Sequence, residues 1–498
     1  MIQKLLLILL VLPLMVSGQR IVNYGVQYDS AYIPVTPLVP SYYEGVKGES
    51  AARSVSLRPF CPKPGNQKSM PACVAYAAGY SAMSIMQAIR DHNTQSSITN
   101  ENSFSPSFLF YHIRSDSADC MKSGARIDDA IQSLKEKGNC FMSEFFSPAS
   151  CFSVPPATAY RSAAEHRIKE GARLFDNDAT ALQKEAVIKR VLRDSAPVII
   201  TIRLYQSFVN ALTPVWSKGN TTADNNYGGG SHALVVVGYD ETTRTFELMN
   251  SWGSAWGNGG FIKVDCEQLA EICREAYRLY MYDSPDVLPL TPPGESLTVA
   301  SGKPQRRFEV KGKFSLVQLL NTDSISTDSI SPVPVRYNRL SRMYEVSKGP
   351  LNQRDTFQVM VSDMTSGKYV YIFSCDPAGK VRLHWPRQIE NKQLSQVIPY
   401  REAEIYLPED TGLQFRHTGT EYLCVLYSEE QIPDISDRLS RIGDYRTGDF
   451  RSMFDAAFSD ILIKDDLLNP FLSNMGVQAR SDVASGIAIP LILRINVL

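Results

Sequence analysis

The spacing of hydrophobic residues along the chain changes from helical to strand-like near residue 195. Before this point, apolar residues recur at helical spacing in five segments, and after it short β-branched runs are separated by turns. Helices are predicted from near Pro71 to about residue 90, and at 104–113, 127–137, 158–175 and 180–193. Strands are predicted at 197–203, 231–239 and 245–249. Helices that precede strands are typical of the α+β class.

The sequence after residue 304 has mainly strand patterns. Its apolar segments are separated by turn residues such as those from Asp376 to Gly379. This region, 305–498, is therefore predicted to be a mostly β, sandwich-like domain, with helical spacing near 437–468. Residues 284–304 contain five prolines and are predicted to be a linker. The length of 498 residues fits two to three domains.

The first 55 residues differ from the rest of the chain. Lys4 precedes an apolar run from Leu5 to Val16, which is too short for a typical transmembrane helix. Residues 1–18 are therefore predicted to be a signal peptide, and the protein to be secreted, periplasmic or on the cell surface. Residues 19–55 are rich in Tyr, Pro and Val without helical periodicity. They are expected to form an extended arm or a short propeptide.

Charge and cysteine content narrow the functional classes. The chain has 51 basic and 52 acidic residues, and this balance argues against nucleic acid or an anionic membrane as the main partner. Nine cysteines are present. If one is a free nucleophile, the even remainder permits disulfides in an exported protein. The loop-rich segment that holds Cys120, Cys140 and Cys151 is the best candidate for a pair. Nothing in the sequence indicates an oligomeric state.

Cys73 is a candidate nucleophile because it is predicted in the first turn of a helix. Pro71 suits that turn, and the residues that follow are small and apolar. Free N–H groups and the positive end of the helix dipole lower the pKa of a thiol placed there. A single cysteine in an alanine-rich helix is more often inert packing. A catalytic role also needs a base, a group that orients the base, and donors for an oxyanion.

A predicted hairpin brings His232 close to Asn250. The strands that end near Asp240 and begin near Thr245 are joined by a short turn. Counting outward from the turn places His232 opposite Asn250 or within one residue of it, and paired residues have Cα atoms about 4.5–5.5 Å apart. An amide oxygen can accept a hydrogen bond from one ring nitrogen while the other faces a thiol. The pair is therefore a candidate base with its orienting group.

Further motifs accompany these residues. Gln67 lies six positions before Cys73, His232 begins His-Ala-Leu-Val-Val-Val-Gly-Tyr, and Asn250 begins Asn-Ser-Trp-Gly. In this order the motifs resemble those of the papain-like cysteine peptidases. The likeness covers about residues 57–282, roughly half of the chain, and the order of four residues together with the Asn-Ser-Trp-Gly run is highly specific. It implies a peptidase domain at 56–283 with a helical lobe and an antiparallel, barrel-like lobe.

The resemblance also implies roles for individual residues. Cys73 would attack the scissile carbonyl. His232 would form an ion pair with the Cys73 thiolate and then protonate the leaving amine. Asn250 would orient His232. Gln67 and the Cys73 N–H would bind the oxyanion. Trp252 would shield the hydrogen bond between His232 and Asn250 from water. The substrate is expected to be a peptide or protein, bound beside Gly124, Ser231 and Trp252. No metal or other cofactor is implied.

The sequence departs from the usual family pattern at two positions beside the nucleophile. Many members have Trp after the catalytic cysteine and a disulfide cysteine three residues before it, whereas this chain has Val74 and Met70. The long helical prosegment of the family is also absent. Two other functions remain open: a binding or adhesion protein built on a degenerate peptidase scaffold, and an acyl-transfer or amidase enzyme with the same triad.

Overall fold

The computed structural model covers most of both halves of the chain. It describes residues 25–32, 34–39, 52–115, 119–121, 124–148, 153–219, 224, 230–282, 308–320, 330–364, 366–386, 388–389, 392–398, 405–408, 412–443, 449–481 and 486–498. The predicted signal peptide at 1–18 and the predicted linker at 284–304 lie outside these residues. We refer to 25–39 as the arm, to 52–282 as the N-terminal region and to 308–498 as the C-terminal region.

A long buried helix forms the centre of the N-terminal region. It consists of three successive segments, Cys73–Ala75, a π-helical segment Tyr76–Ala82, and Met83–Arg90. Its first two segments are buried on all sides, as their small side chains allow. Pro71 was expected in the first turn but lies before it, because Ala72 is the N-cap and Cys73 the first helical residue.

Four more helices surround this one or flank the sheet. Ser105 and Thr180 cap two of them by accepting hydrogen bonds from Phe108 and Gln183. The prediction of a helix over 158–175 is wrong in its second half, because residues 168–173 pair as a strand with 273–281. Tertiary pairing overrides the helical pattern there. The four helices are Pro106–Ile113, Ile127–Glu136, Ala157–Glu165 and Ala181–Arg193.

The helices pack against an eight-stranded, mostly antiparallel sheet. Its central strand, Ser231–Asp240, is buried along nearly its whole length. The order across the sheet is Ile168–Arg173, Cys273–Met281, Val198–Arg203, Ser231–Asp240, Thr245–Met249, Phe261–Asp265 and Val215–Trp216, and Ser54–Ser56 also pairs with the central strand. The short helices Gln206–Val209 and Cys266–Ile272 connect strands. The α+β prediction for this region is confirmed.

The C-terminal region contains two six-stranded sheets. One has the order Ile405–Leu407, Thr356–Ser362, Phe308–Leu319, Met475–Ser481 and Leu468–Pro470, with Ile330–Pro332 beside Phe308–Leu319. The other has the order Val335–Asn338, Met343–Val346, Ala488–Val497, Gly419–Ser428, Tyr369–Cys375 and Val381–Trp385. Phe314 and Tyr427 meet between the sheets, with ring centroids 6.0 Å apart. Helices Ile435–Gly443 and Phe450–Phe458 cover the second sheet, where Phe454 stacks on Phe373. The mostly β, sandwich-like prediction is confirmed.

Candidate active site

The hairpin that carries His232 and Asn250 has a different register from the predicted one. Val235 pairs with Met249, so continuing this register places Asn250 opposite Leu234, two positions from His232. The shift arises from a four-residue turn after Asp240 and an irregularity between Val236 and Gly238. The prediction of direct pairing is therefore wrong. A shift of two residues keeps both side chains on the same face, and diagonal neighbours of this kind remain within reach of each other.

His232 and Asn250 are joined by a short hydrogen bond. The imidazole Nε2 lies 2.7 Å from Oδ1 of the Asn250 side chain. Because an amide oxygen only accepts, Nε2 donates, which fixes the ring orientation. The Trp252 ring stacks on the imidazole with centroids 4.5 Å apart and an interplanar angle of 29°. His232 is fully buried and Asn250 nearly so, so the hydrogen bond is shielded from water.

Cys73 is the first residue of the buried helix and lies against the strand that carries His232. The backbone of Ala233, the neighbour of His232, contacts its sulfur and acts to lower the pKa of the thiol, as do the backbone groups of Val74 and Cys73. Burial outweighs them and raises this pKa to about 12. Burial likewise lowers the pKa of His232 to about 4, against the opposing effect of Asn250. In this covered site the neutral thiol and neutral imidazole are favoured.

Gln67 links the loop before Cys73 to the loop after Asn250. Its Nε2 donates to the Met70 carbonyl at 2.8 Å, and its Oε1 accepts from the Ser251 hydroxyl at 2.6 Å. The backbone N–H of Gln67 also donates to the carbonyl of Ser251 at 2.9 Å. Gln67 is 1% exposed. These hydrogen bonds hold the side-chain amide of Gln67 in one position beside the loop that precedes Cys73.

Two of the three residues expected at the substrate side, Gly124 and Ser231, lie at opposite walls of a cleft that the arm crosses. Val26 of the arm bridges Ser231 on the sheet side and Ala125, next to Gly124, on the helical side. The N–H of Gln27 donates to the Ala125 carbonyl at 3.0 Å, and the N–H of Ala125 donates to the Gly25 carbonyl at 2.8 Å. Trp252 lies instead at the end with His232.

Close packing fixes the arm at both walls. A Cβ on Gly25 would come within 2.1 Å of the Pro71 carbonyl oxygen, just before the nucleophile. A Cβ on Gly124 would come within 2.8 Å of the Gln27 side chain. Residues 25–27 therefore pack between Ala125 and Ser231 and against Pro71, which lies two positions before Cys73 in the chain.

Sequence reasoning missed two groups near the cleft. Arg274 donates to the Ser231 hydroxyl at 2.6 Å and stacks on the Tyr28 ring of the arm at 4.4 Å. Ser251 was read only as part of a motif, yet its hydroxyl positions Gln67. Neither contact has a signal in the sequence, because each joins residues from distant parts of the chain.

A model of the papain family of cysteine proteases matches residues 66–280, the segment that holds Gln67, Cys73, His232 and Asn250. This segment is similar to the papain family along its whole length. The likeness stated from the sequence is thereby confirmed for it, and we call it the papain-family segment.

Two curated proteins are similar to parts of the chain. An uncharacterized peptidase C1-like protein of Acanthamoeba polyphaga mimivirus is 29% identical over 214 residues, which are 41% of this chain and 65% of that protein. Gamete and mating-type specific protein A of Dictyostelium discoideum is 32% identical over 68 residues, 14% of either protein. The chain thus spans less than two thirds of these curated relatives.

Solved structures similar to the chain include two proteases. Xylellain, a cysteine protease from Xylella fastidiosa, is 21% identical with a TM-score of 0.37, and the match covers 50% of this chain and 96% of that one. Digestive procathepsin L 3 of the Tenebrio molitor larval midgut is 17% identical with a TM-score of 0.39, over 52% and 77% of the two chains.

Cys120 is disulfide-bonded, as expected for its loop-rich segment, whereas Cys140 is a buried free thiol and Cys151 lies outside the described residues.

Within the described ranges, no three His, Cys, Asp or Glu side chains are grouped so as to hold a metal ion. Among the helices that the structure describes, none is long and apolar enough to cross a membrane.

Proposed function

We propose that this chain is a cysteine peptidase that hydrolyses peptide bonds through a thioester acyl-enzyme. The observation that carries the proposal is the buried 2.7 Å hydrogen bond between His232 and Asn250, beside a thiol at the start of a helix. The papain-family match over residues 66–280 supports it. A binding protein on a degenerate scaffold would not need this hydrogen bond or this thiol.

In the proposed reaction, the Cys73 thiol gives its proton to Nδ1 of His232, and the sulfur attacks the peptide carbonyl. The C–N bond then breaks as the imidazolium protonates the leaving amine, which leaves a thioester on Cys73. Water attacks the thioester with His232 as base, and the acid and the free thiol are released. Asn250 keeps the imidazole in the tautomer and orientation that both proton transfers require.

The oxyanion would be bound by Gln67 and by the backbone N–H of Cys73. One of the two N–H groups on Gln67 Nε2 donates to the Met70 carbonyl, so the second remains for the oxyanion. The hydrogen bond from Ser251 keeps the amide oxygen turned away from the substrate. A preorganised donor of this kind contributes about 3–4 kcal/mol to stabilisation of the transition state.

An extended peptide substrate would take the place now held by residues 25–27 of the arm. The Ala125 backbone offers one donor and one acceptor there, with Gly124 and Ser231 at the walls. The arm must leave before substrate enters. Water that follows reduces the burial of both catalytic side chains, so the pKa of Cys73 falls, the pKa of His232 rises, and the reactive ion pair becomes favourable.

We also propose that the protein is exported and divided into an arm at 19–55, a peptidase domain at 56–283, a linker at 284–304 and a β domain at 305–498. Lys4 and the apolar run that follows support a signal peptide at 1–18. The disulfide at Cys120 supports an oxidising compartment. Amino-terminal sequencing of the protein collected outside the producing cells tests this: a first residue of Gln19 is expected, and retained residues 1–18 would contradict it.

The catalytic proposal is tested by reacting the purified chain with an epoxide-type thiol inhibitor and with a peptide library, both read by mass spectrometry. Wild type is expected to be modified at Cys73 and to cleave peptides, whereas Cys73→Ala and His232→Ala do neither. Cys140→Ala, which removes another buried free thiol, serves as the matched control and should behave as wild type. An added primary amine distinguishes the reaction types, because amide products in place of acids would indicate acyl transfer.

The Gly25→Ala variant is included in the same assay because the arm covers the site in the intact chain. If Cys73 stays unmodified and no peptide is cleaved even in this variant, the peptidase proposal is wrong.

A further inference from the structure

The arm makes a second set of contacts beyond the cleft, where residues 35–39 run between the two regions of the chain. Leu38 bridges Arg173 of the N-terminal region on one side and Leu394 of the C-terminal region on the other. This segment therefore acts as a short strand inserted between the two regions.

Backbone hydrogen bonds hold both sides of this segment. On the N-terminal side, Val39 donates to the Arg173 carbonyl at 2.7 Å, and Arg173 donates to the Pro37 carbonyl at 2.8 Å. On the C-terminal side, Ser395 donates to the Leu38 carbonyl at 2.7 Å. Ser395 is 2% exposed. Because Ser395 is buried, leaving its N–H unpaired there would be costly.

Asp128 provides a side-chain anchor at the start of the same segment. Its carboxylate accepts from the backbone N–H groups of Val35 and Thr36 at 3.1 and 3.3 Å, and from the Thr36 hydroxyl. Tyr32 stacks on Arg126 at 4.4 Å between this anchor and the cleft. Between the cleft segment and the anchored segment, the arm is thus attached at Tyr32 as well.

Buried ion pairs fix the C-terminal region against the same strand of the N-terminal region. Lys169, in the strand that also carries Arg173, lies 3.4 Å from Glu429, and Lys368 lies 2.7 Å from the same carboxylate. Both lysine side chains are 4% exposed. Arg278 of the neighbouring strand donates to Ser366 at 3.0 Å. The slot for residues 35–39 is therefore built jointly by both regions.

We propose that the C-terminal region forms an extended-peptide slot for residues 35–39 and thereby retains the arm over Cys73. Anchoring of residues 35–39 keeps residues 25–27 close to the cleft and so favours their return after each release, by which the C-terminal region controls how readily the nucleophile is reached. This gives the β-rich region a regulatory role in the same chain. The inference rests on the proposed function for its meaning, but its test measures thiol access rather than catalysis.

The test compares rates of Cys73 alkylation by iodoacetamide in the full-length chain, followed by peptide mass spectrometry. Ser395→Pro removes the N–H that donates to Leu38, and loss of one such bond is expected to raise the rate about two- to tenfold. Ser395→Ala keeps the N–H and serves as the matched control, with a rate close to wild type. Thr36→Val removes the hydroxyl that bonds Asp128 and should raise the rate to a similar extent.

Other buried thiols report whether the variants remain folded. Cys375 and Cys424 lie in the C-terminal region and Cys61 in the N-terminal region, and all three are free and buried. Their alkylation should stay slow in every variant. Faster alkylation of Cys73 alone supports the proposal. Faster alkylation in Thr36→Val but not in a folded Ser395→Pro overturns it, because the arm would then be held by the N-terminal region alone.

An engineered, reducible disulfide provides a second test if the Ser395→Pro variant does not fold. Leu38 and Leu394 are bridge partners, and neighbouring strands lie about 5 Å apart, so cysteines at both positions are within disulfide range. The oxidised Leu38→Cys/Leu394→Cys variant should protect Cys73 relative to its reduced form, with wild type treated in the same way as control. Equal rates in both forms would overturn the proposal. Peptide cleavage is scored separately, so absence of cleavage with altered alkylation counts against the peptidase proposal only.

Discussion

The imidazole Nε2 of His232 lies 2.7 Å from Oδ1 of Asn250, although the register of their strands places the two residues diagonally. The diagonal arrangement directs the amide oxygen at Nε2. In the proposed mechanism, the other ring nitrogen, Nδ1, exchanges a proton with the Cys73 thiol. Because the amide is neutral, it orients the imidazole without adding charge to the site. In the proposed mechanism, Asn250 is therefore a positioning residue.

Substitution Asn250→Ala is expected to lower kcat/KM about 10- to 100-fold, mostly through kcat. The lost hydrogen bond is made to a group that becomes charged during the reaction, and such bonds contribute about 1.5–3 kcal/mol. Steady-state kinetics on a peptide substrate measure the effect. Asn258→Ala, an exposed position in the same loop, is the control. A change below about twofold in Asn250→Ala would show that the imidazole is oriented without this bond.

Substitution Gln67→Ala is expected to lower kcat about 100- to 1000-fold with a small change in KM. It removes a donor aimed at the developing oxyanion, and donors of this kind have effects of that size. Ser251→Ala keeps Gln67 but removes the hydroxyl that holds its amide oxygen, so a smaller loss of kcat is expected. If Ser251→Ala were the more damaging of the two, the assignment of Gln67 as an oxyanion donor would be wrong.

The sequence predicted the local structure around Cys73 and Ser105 better than the register that brings His232 and Asn250 together. Cys73 at a helix start and the Ser105 cap follow from local rules, which depend only on neighbouring residues. The register of the His232 hairpin depends on a four-residue turn and an irregularity near Val237, which the alternating pattern does not reveal. A count along the sequence therefore misses it by two positions while keeping the correct face.

The path of the arm could not be predicted from the sequence. Its contacts at Ala125, Arg173 and Ser395 are backbone hydrogen bonds to residues far away in the chain, and such bonds place no constraint on residue type. Similarly, the apolar spacing that predicts a helix over 158–175 does not reveal that residues 168–173 form a strand. In the structure the charged side chains of this strand are buried in ion pairs such as that between Lys135 and Glu170, which only the tertiary fold supplies.

Substitution Gly25→Ala is expected to raise the rate of Cys73 alkylation and any peptide cleavage. Gly25 has φ of +90°, and an added Cβ would collide with the Pro71 carbonyl at 2.1 Å. The arm would have to move away from the nucleophile, because the Pro71 loop is buried. Gly230→Ala is the matched control, since its Cβ would meet nothing within 4 Å. Equal alkylation rates in the two variants would indicate that the arm does not limit access.

Substitution Glu421→Gln is expected to stabilise the C-terminal region at pH 8 and to change little at pH 4.5. Burial, assisted by Asp376, raises the pKa of Glu421 from its ordinary value of 4.5 to about 7. The folded state therefore binds this proton more tightly than the unfolded state, and the stability that it contributes is lost as the pH rises from 4.5 through 7. Glutamine mimics the protonated acid and avoids this loss of folding stability, which is on the order of 2 kcal/mol at pH 8.

Urea unfolding midpoints between pH 4.5 and pH 8 measure the change in stability, with Glu267→Gln at an exposed position as control. A gain that is equal at both pH values would show that Glu421 is not protonated in the folded protein near neutral pH.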